Sequence, residues 1–258
     1  MQQSAQYAGP YRIIYRTIAA MPNVQPNVLI RRFEQVDYLP CWEAMKAFTD
    51  QRGADSVDEL WLLEHPAVFT LGQAGKPEHV LAAGDIPVVK CDRGGQVTYH
   101  GPGQTVIYLM IDIQRLGIGT RELVSRIEQA IINMLSELGI SATNNPTAPG
   151  VYVDGAKIAQ LGLRIRHGRS YHGLSINRDM IMEHFRRINP CGYAGQPITS
   201  LAMLGLNADR QQCELALLDA LQQQFRFDQL IDAQQLPDWY NLAKDSANHS
   251  EHTKQAQD

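Results

Sequence analysis

Cys191 stands in Asn-Pro-Cys-Gly-Tyr, where Pro190 stiffens the approach and Gly192 removes bulk beyond it. A thiol on such a turn suits nucleophilic chemistry, which needs access and a stabilised thiolate. The competing explanation for a lone cysteine is packing as a small hydrophobe, and that reading suits Cys41 and Cys213, which fall in helical patterns. Lys157 is the candidate proton partner. Strict strand alternation from Lys157 sets Ala159, Leu161, Leu163 and Ile165 on its face, and Ile158, Gln160, Gly162 and Arg164 on the other. A lysine aimed at an apolar face loses solvation, which favours the neutral amine that proton transfer requires; the alternatives are snorkelling beside the neighbouring turn and a bulge at Gly162 that would undo this facing. His100 and His172 are further candidate bases, and pairing either with a cysteine would give a hydrolase-like centre. The run Arg93, Gly94, Gly95, Gln96, Val97, Thr98, Tyr99, His100 brings glycines and polar groups together as a ligand-contact segment or as a plain connector between strands. It lacks both the Gly-Lys-Ser/Thr ending of a phosphate loop and the capped helix of a dinucleotide fingerprint.

The elements that must position these groups follow from periodicity. Residues 29–33 read as a strand, and 37–52 carry Leu39, Trp42, Met45 and Phe48 at helical spacing up to Gly53. ELWLLEH, VFTLG, PVVKC and QTVIYLMIDI are short apolar runs broken by Pro and Gly, as strands of a mixed sheet. Thr120 is placed to cap a long helix whose stripe is Leu123, Ile127, Ile131, Met134, Leu135 and Leu138, stopped by Gly139. From Gly150 to Asn177 the pattern turns to hairpins at Asp154-Gly155 and His167-Gly168. A two-residue loop at the second turn sets Arg166 against Arg169, Leu163 against His172, Leu161 against Leu174 and Ala159 against Ile176. That register puts His172 on the face of Leu163 and Leu174. A last helix is expected over about 209–225. The fold class is α+β: a single domain over residues 28–242, with a mixed β-sheet flanked by helices, preceded by an extension (1–27) and followed by a polar, disordered tail (243–258).

The 258 residues, 44% hydrophobic and 19% charged, suffice for a sizeable core. A net charge of −4 in mixed sign offers no basic domain, so no nucleic acid partner is expected. No run approaches the ~20 apolar residues of a membrane span, and the start lacks a secretory signal, so no membrane association and a cytoplasmic location are expected. The four cysteines form no CxxC pair, which argues against a zinc ribbon or a disulfide framework.

RGGQVTYHGPGQ, GVYVDGAKIAQLGLRI, SYHGLSIN and INPCGY, in this order, resemble the lipoyl(octanoyl) transferase family, also called lipoate-protein ligase B, over about residues 29–201. The resemblance implies the fold of biotin and lipoate protein ligases. It implies transfer of an octanoyl group from octanoyl-acyl carrier protein, through a thioester on Cys191, to a specific lysine of lipoyl domains in 2-oxoacid dehydrogenases or the glycine cleavage H protein. Lys157 would be the acid/base partner, and no cofactor, metal or ATP would be needed. Substrate contacts would fall on Arg93 to His100, on Gln160, Leu161 and Gly162, and on Gly173, Leu174 and Ser175. Gln160 departs from the small residue, Ser or Ala, expected there. The arginines Arg164, Arg166 and Arg169 are a candidate dock for an acidic carrier. The rival readings are an ATP-dependent lipoate or biotin ligase of the same fold, a Cys-His thioesterase or amidohydrolase, and a non-catalytic carrier-binding module.

Overall fold

The computed structural model describes residues 27–190, 195–206 and 209–240. The N-terminal extension, the C-terminal tail and Cys191 lie outside these residues, as do Gly192 to Ala194. Eleven strands and three helices are described: β1 (Val28–Gln35), α1 (Tyr38–Gln51), β2 (Asp58–Glu64), β3 (Val68–Leu71), β4 (Val88–Lys90), β5 (Val97–His100), β6 (Gln104–Met110), α2 (Thr120–Glu137), β7 (Thr143–Asn144), β8 (Gly150–Val153), β9 (Ala156–Arg166), β10 (Arg169–Asn177), α3 (Arg210–Phe225) and β11 (Leu230–Asp232). Eight strands form one mixed sheet in the order β11-β1-β2-β6-β10-β9-β8-β7, and β4-β3-β5 form a small second sheet. The α+β mixed-sheet expectation holds.

The sheet alternates its apolar residues between two cores. Leu60, Leu62, Ile107, Leu109, Leu174 and Ile176 meet α2 and α3 on one face, where Leu123, Ile127, Ile131 and Leu217 are fully buried. Trp61, Leu63, Tyr108 and Tyr171 meet Cys41 and Met45 of α1 on the other. Beside α1, the small sheet lies over β6, β10 and β9 and packs its outer side on Phe185 and Ile188.

Several local expectations change. Residues 97–100 of the glycine-rich segment form a strand, β5, antiparallel to β3. Gly119, not Thr120, is the N-cap of α2, and Leu138 lies 40% exposed past the last turn. On α1 the buried positions are Tyr38, Cys41, Met45 and Thr49, because this helix has to face both the large sheet and the small one, and Leu39 is left exposed.

The hairpin register is as the turns dictate: Arg166 opposes Arg169, Leu163 opposes His172, Leu161 opposes Leu174 and Ala159 opposes Ile176. Both turns have left-handed backbone, φ 48° and 80° at Asp154-Gly155 and φ 51° and 74° at His167-Gly168. Two irregularities then redirect side chains. Val151 opposes Ala159 but Tyr152 opposes Lys157, so Ile158 is an extra residue, a β-bulge. His172 has φ 59°, strained for a residue with a Cβ.

The approach of β10 to β6 is close: a Cβ on Gly173 would lie 2.1 Å from the Ile107 carbonyl oxygen. Gly173→Ala should therefore cost about 2 kcal/mol or more, since the strands must separate to admit it. Urea unfolding measures this, and a change below about 0.5 kcal/mol would contradict the close approach.

Candidate active site

A pocket of about 650 Å³, including its open mouth, lies between the small sheet and strands β6, β10 and β9. The bulge at Ile158 decides what faces it. Strict alternation puts Lys157 with Ala159 and Leu161 on the helix-facing side. The extra residue sends it instead to the pocket side, with Gln160 and Gly162. Lys157 is 1% exposed; its Nζ donates to the Pro149 carbonyl at 3.0 Å and lies 5.1 Å from the centroid of the Tyr152 ring. Pro149 is held in turn, because Gly150 N donates to the buried Glu128 of α2 at 2.9 Å. The main chain of Lys157 is clasped from the other side: its N–H donates to Pro197 O at 2.8 Å, and Thr199 N donates to its carbonyl at 3.0 Å. Pro190 and Ile198, on either side of the 191–194 stretch, line the same pocket.

The glycine-rich segment forms the opposite wall. Arg93 is 7% exposed, and its guanidinium donates to Thr70 O at 2.6 Å, Gln96 O at 2.7 Å, Gly94 O at 2.9 Å and Thr70 Oγ1. Its donors are spent on tying its own loop, at Gly94 and Gln96, to Thr70 of β3. Gly94 N donates to Leu163 O at 2.9 Å, joining that loop to β9. Gly162 admits the approach, since a Cβ there would meet Arg93 Cδ at 2.9 Å. Gly95, Gln96, Val97, Thr98 and His100 line the pocket, as do Leu161, Gly173, Leu174 and Ser175. Gly94 and Tyr99 do not. Strand alternation turns Tyr99 to the outer side, against Phe69 and Phe185, with its hydroxyl 2.8 Å from His184 Nδ1. Gln160 brings its long side chain into the pocket: Oε1 accepts from Ser175 Oγ at 2.9 Å, and Nε2 is buried without a partner.

His172 is directed otherwise than its register implies. Its left-handed φ turns the ring from the Leu163–Leu174 face to the pocket side, where it stacks on Tyr171 with centroids 5.0 Å apart. Nε2 lies 2.9 Å from Asp92, which also accepts from Trp42 Nε1 at 2.7 Å and from the Tyr171 hydroxyl. Burial pushes the Asp92 carboxyl up, but the hydrogen bonds from His172, Tyr171 and Trp42 together outweigh it and hold it below the usual carboxylate range. The ionised carboxylate thus accepts a hydrogen bond from His172 Nε2–H, and burial holds the imidazole neutral, leaving Nδ1 as an acceptor.

Around it lies a ring cluster that periodicity does not reveal. His65 Nδ1 donates to Val36 O at 2.5 Å, so its Nε2 accepts from the Tyr108 hydroxyl at 2.6 Å. The His65 ring packs on Tyr38 at 5.2 Å and on His100 at 5.8 Å. His100 Nδ1 lies 2.7 Å from Gln104 Oε1, whose amide nitrogen donates to Asn177. Burial holds all three imidazoles below their usual range, His65 down to about 4. No group of three metal-ligating side chains occurs among the described residues.

The other cysteines on the described elements are internal. Cys41 and Cys213 are buried, with burial raising both thiols, Cys213 to about 12; Cys91 donates to Leu71 O at 3.4 Å. The candidate carrier dock finds partners within the chain: Arg166 pairs with Asp50 at 3.0 Å, Arg169 with Asp112 at 3.2 Å, and Arg164 donates to Gln73 at 2.7 Å. No described helix is long and apolar enough to cross a membrane.

Residues 37–222 match the family described as the lipoyl protein ligase A/B catalytic domain. A curated octanoyltransferase of Alcanivorax borkumensis is 60% identical over 220 residues, which are 85% of this chain and 89% of that protein. One of Thiobacillus denitrificans is 59% identical over 76% of this chain and 90% of its own length. Among solved structures, a chain from the bipartite lipoate protein ligase and lipoyl domain system of Thermoplasma acidophilum superposes with TM-score 0.66 at 13% identity, covering 86% of this chain and 91% of that one. Lipoate-protein ligase A bound with ATP superposes with TM-score 0.64 at 12% identity, covering 86% and 93%. At such identities the likeness is one of fold.

The neutral histidines couple stability to acidity. An unfolded histidine titrates near ~6.5, so below that pH the unfolded chain takes up protons that buried His65 refuses down to about 4. The stabilisation is therefore complete above ~6.5 and is lost as pH falls toward 4. His65 alone should make the protein about 2 kcal/mol less stable at pH 5 than at pH 7, with His100 and His172 adding in the same direction. Denaturant titration at the two pH values tests the sign, and equal or greater stability at pH 5 would refute it.

Proposed function

The chain belongs to the octanoyltransferases of the lipoyl protein ligase A/B catalytic domain family, and on that premise we propose that it moves an octanoyl group from octanoyl-acyl carrier protein to a lysine of a lipoyl domain through a thioester on Cys191. The observation that carries this reading is the burial of Lys157 in a pocket whose lining also includes Pro190, the residue covalently joined to Cys191. Residues 28–242 act as the catalytic domain.

Lys157 accepts the Cys191 proton, and the sulfur attacks the octanoyl carbonyl. The carbon–sulfur bond to the carrier's pantetheine arm then breaks, and Lys157 returns the proton to the departing thiol. In the second half the acceptor lysine's neutral amine attacks the Cys191 thioester. The amide bond forms, the carbon–sulfur bond breaks, and the proton released from nitrogen reaches Cys191 by way of Lys157. Lys157 matters chiefly as this shuttle, because a more acidic thiol is also a weaker nucleophile and much of the gain from ionisation is given back. The donor is already an activated thioester, so no nucleotide is consumed. The acyl chain lies along the pocket between β5 and β9–β10, where each buried methylene contributes ~0.8 kcal/mol. Gln160 Nε2, Gly162 and the Arg93–Gln96 loop border it. The acceptors are lipoyl domains such as those of 2-oxoacid dehydrogenases and the glycine cleavage H protein.

Intact mass spectrometry after mixing with octanoyl-acyl carrier protein, without ATP, should show one octanoyl adduct on the wild type and none on Cys191→Ser. An adduct that survives that change moves the nucleophile elsewhere. Lys157→Ala should slow acylation at least ~100-fold, the usual loss for a general base; wild-type speed would remove the shuttle.

A further inference from the structure

Glu128 is the one acid among the buried positions of α2, set between Ile127 and Ile131 in the stripe that meets the sheet. It is 5% exposed. Its Oε1 accepts from Gly150 N at 2.9 Å, and its Oε2 accepts from Asn144 Nδ2 at 2.9 Å. Among the described residues no lysine, arginine or histidine forms an ion pair with it, and a carboxylate held out of water without a counter-ion is costly. A glutamine could make both bonds at less cost, with the Asn144 amide turned over to accept. The charge therefore calls for a reason beyond packing.

That reason lies across one peptide group. The N–H that Glu128 holds and the carbonyl that accepts from Lys157 Nζ at 3.0 Å belong to the same plane, the peptide joining Pro149 to Gly150. The carboxylate oxygen and the amine are thus no more than about 8 Å apart, with a polarisable amide between them. A negative charge on the N–H side pushes the amide's electrons toward its oxygen and strengthens the bond from the amine. Burial disfavours an ammonium, and a fixed carboxylate nearby favours one. Gly150 leaves room for the arrangement: a Cβ there would lie 2.8 Å from Lys157 Cε and 3.1 Å from Nζ. The other titratable groups lining the pocket are Tyr38, Arg93, His100, Tyr108 and His172, with the Tyr152 ring beside the amine; none of them is a carboxylate.

We propose that Glu128 is a positioning residue for Lys157: through the Pro149–Gly150 peptide its carboxylate fixes the direction of the amine and helps the buried lysine hold a proton. The proposal rests on Lys157 being the proton shuttle, and adds the helix residue that sets how readily it takes and returns that proton. The working Lys157–Cys191 pair carries one proton, on nitrogen or on sulfur, and a second proton stops it. A nearby negative charge favours the doubly protonated form. Removing that charge must therefore shift the acid limb of the acylation rate to lower pH.

Octanoyl-enzyme formation on the full chain, followed by intact mass against pH with saturating octanoyl-acyl carrier protein, reads that limb. Glu128→Gln should move it down by about one pH unit, the effect of one charge at ~8 Å across an effective dielectric constant of ~20–40. Glu122→Gln, which removes an exposed carboxylate of the same helix, should leave it in place. Asn144→Lys, at an exposed position, sets an ammonium beside Glu128 Oε2 and should move the limb the same way by less. It carries the comparison if Glu128→Gln does not fold. A Glu128 that only braces the fold would lower the rate without moving the limb. A limb unmoved in the folded variants, or moved equally by Glu122→Gln, overturns the proposal and leaves the shuttle standing. Alkylation of Cys191 by iodoacetamide needs no acyl donor and follows the same pair. If the wild type takes up no octanoyl group while the alkylation limb moves in Glu128→Gln, the acyl-transfer reading falls and the coupling stands; if neither occurs, both fall.

Discussion

The pocket depends on one buried guanidinium. Arg93 sits where the small sheet meets the large one, and among the described residues no carboxylate pairs with it; its donors are filled by carbonyl and hydroxyl oxygens of Thr70, Gly94 and Gln96. A cation out of water must have its donors filled, so the loop has to curl around it. That curl aligns Gly94 with Leu163 on β9, and Gly162 must lack a side chain for the two to meet. One satisfied charge therefore sets the spacing between two sheets, and that spacing defines the pocket.

Within this frame, function follows from two departures from regular β structure. The bulge at Ile158 and the left-handed His172 each send a polar side chain away from the α2–α3 core and into the pocket. Strain and lost pairing in a sheet are unfavourable in themselves. Here they coincide with the polar groups that make the pocket more than an apolar slot.

The same departures mark where reading the sequence runs out. The register of β9 against β10 was legible because a two-residue turn at His167-Gly168 admits one alignment. The helix stripes of α2 were legible in their first four turns, and failed at Leu138, where the core ends before the helix pattern does. Strict alternation misassigns the facing of Lys157 because the bulge falls at Ile158, which no residue type marks, and not at Gly162, where a glycine signals that one is possible. Tyr99 was grouped with its neighbours as a contact residue, whereas β5 is a strand and alternates. Tyr38, His65, Asp92 and Tyr108 went unnoticed: they come from four separate segments, and only the tertiary fold assembles them. Charge pattern grouped Arg164, Arg166 and Arg169, but two of the three find acidic partners, Asp50 and Asp112, far away in sequence.

Two main-chain hydrogen bonds, Lys157 N to Pro197 O and Thr199 N to Lys157 O, clasp Lys157 to the 197–199 segment. Such a joint is blind to side-chain identity. The two bonds themselves ask of this segment only a carbonyl at 197 and an N–H at 199, although Ile198 also lines the pocket. Proline at 199, which would delete a donor, or a change in the number of residues between Pro190 and Pro197 would not be tolerated so lightly. For this joint, chain length and an N–H at 199 are what the geometry requires.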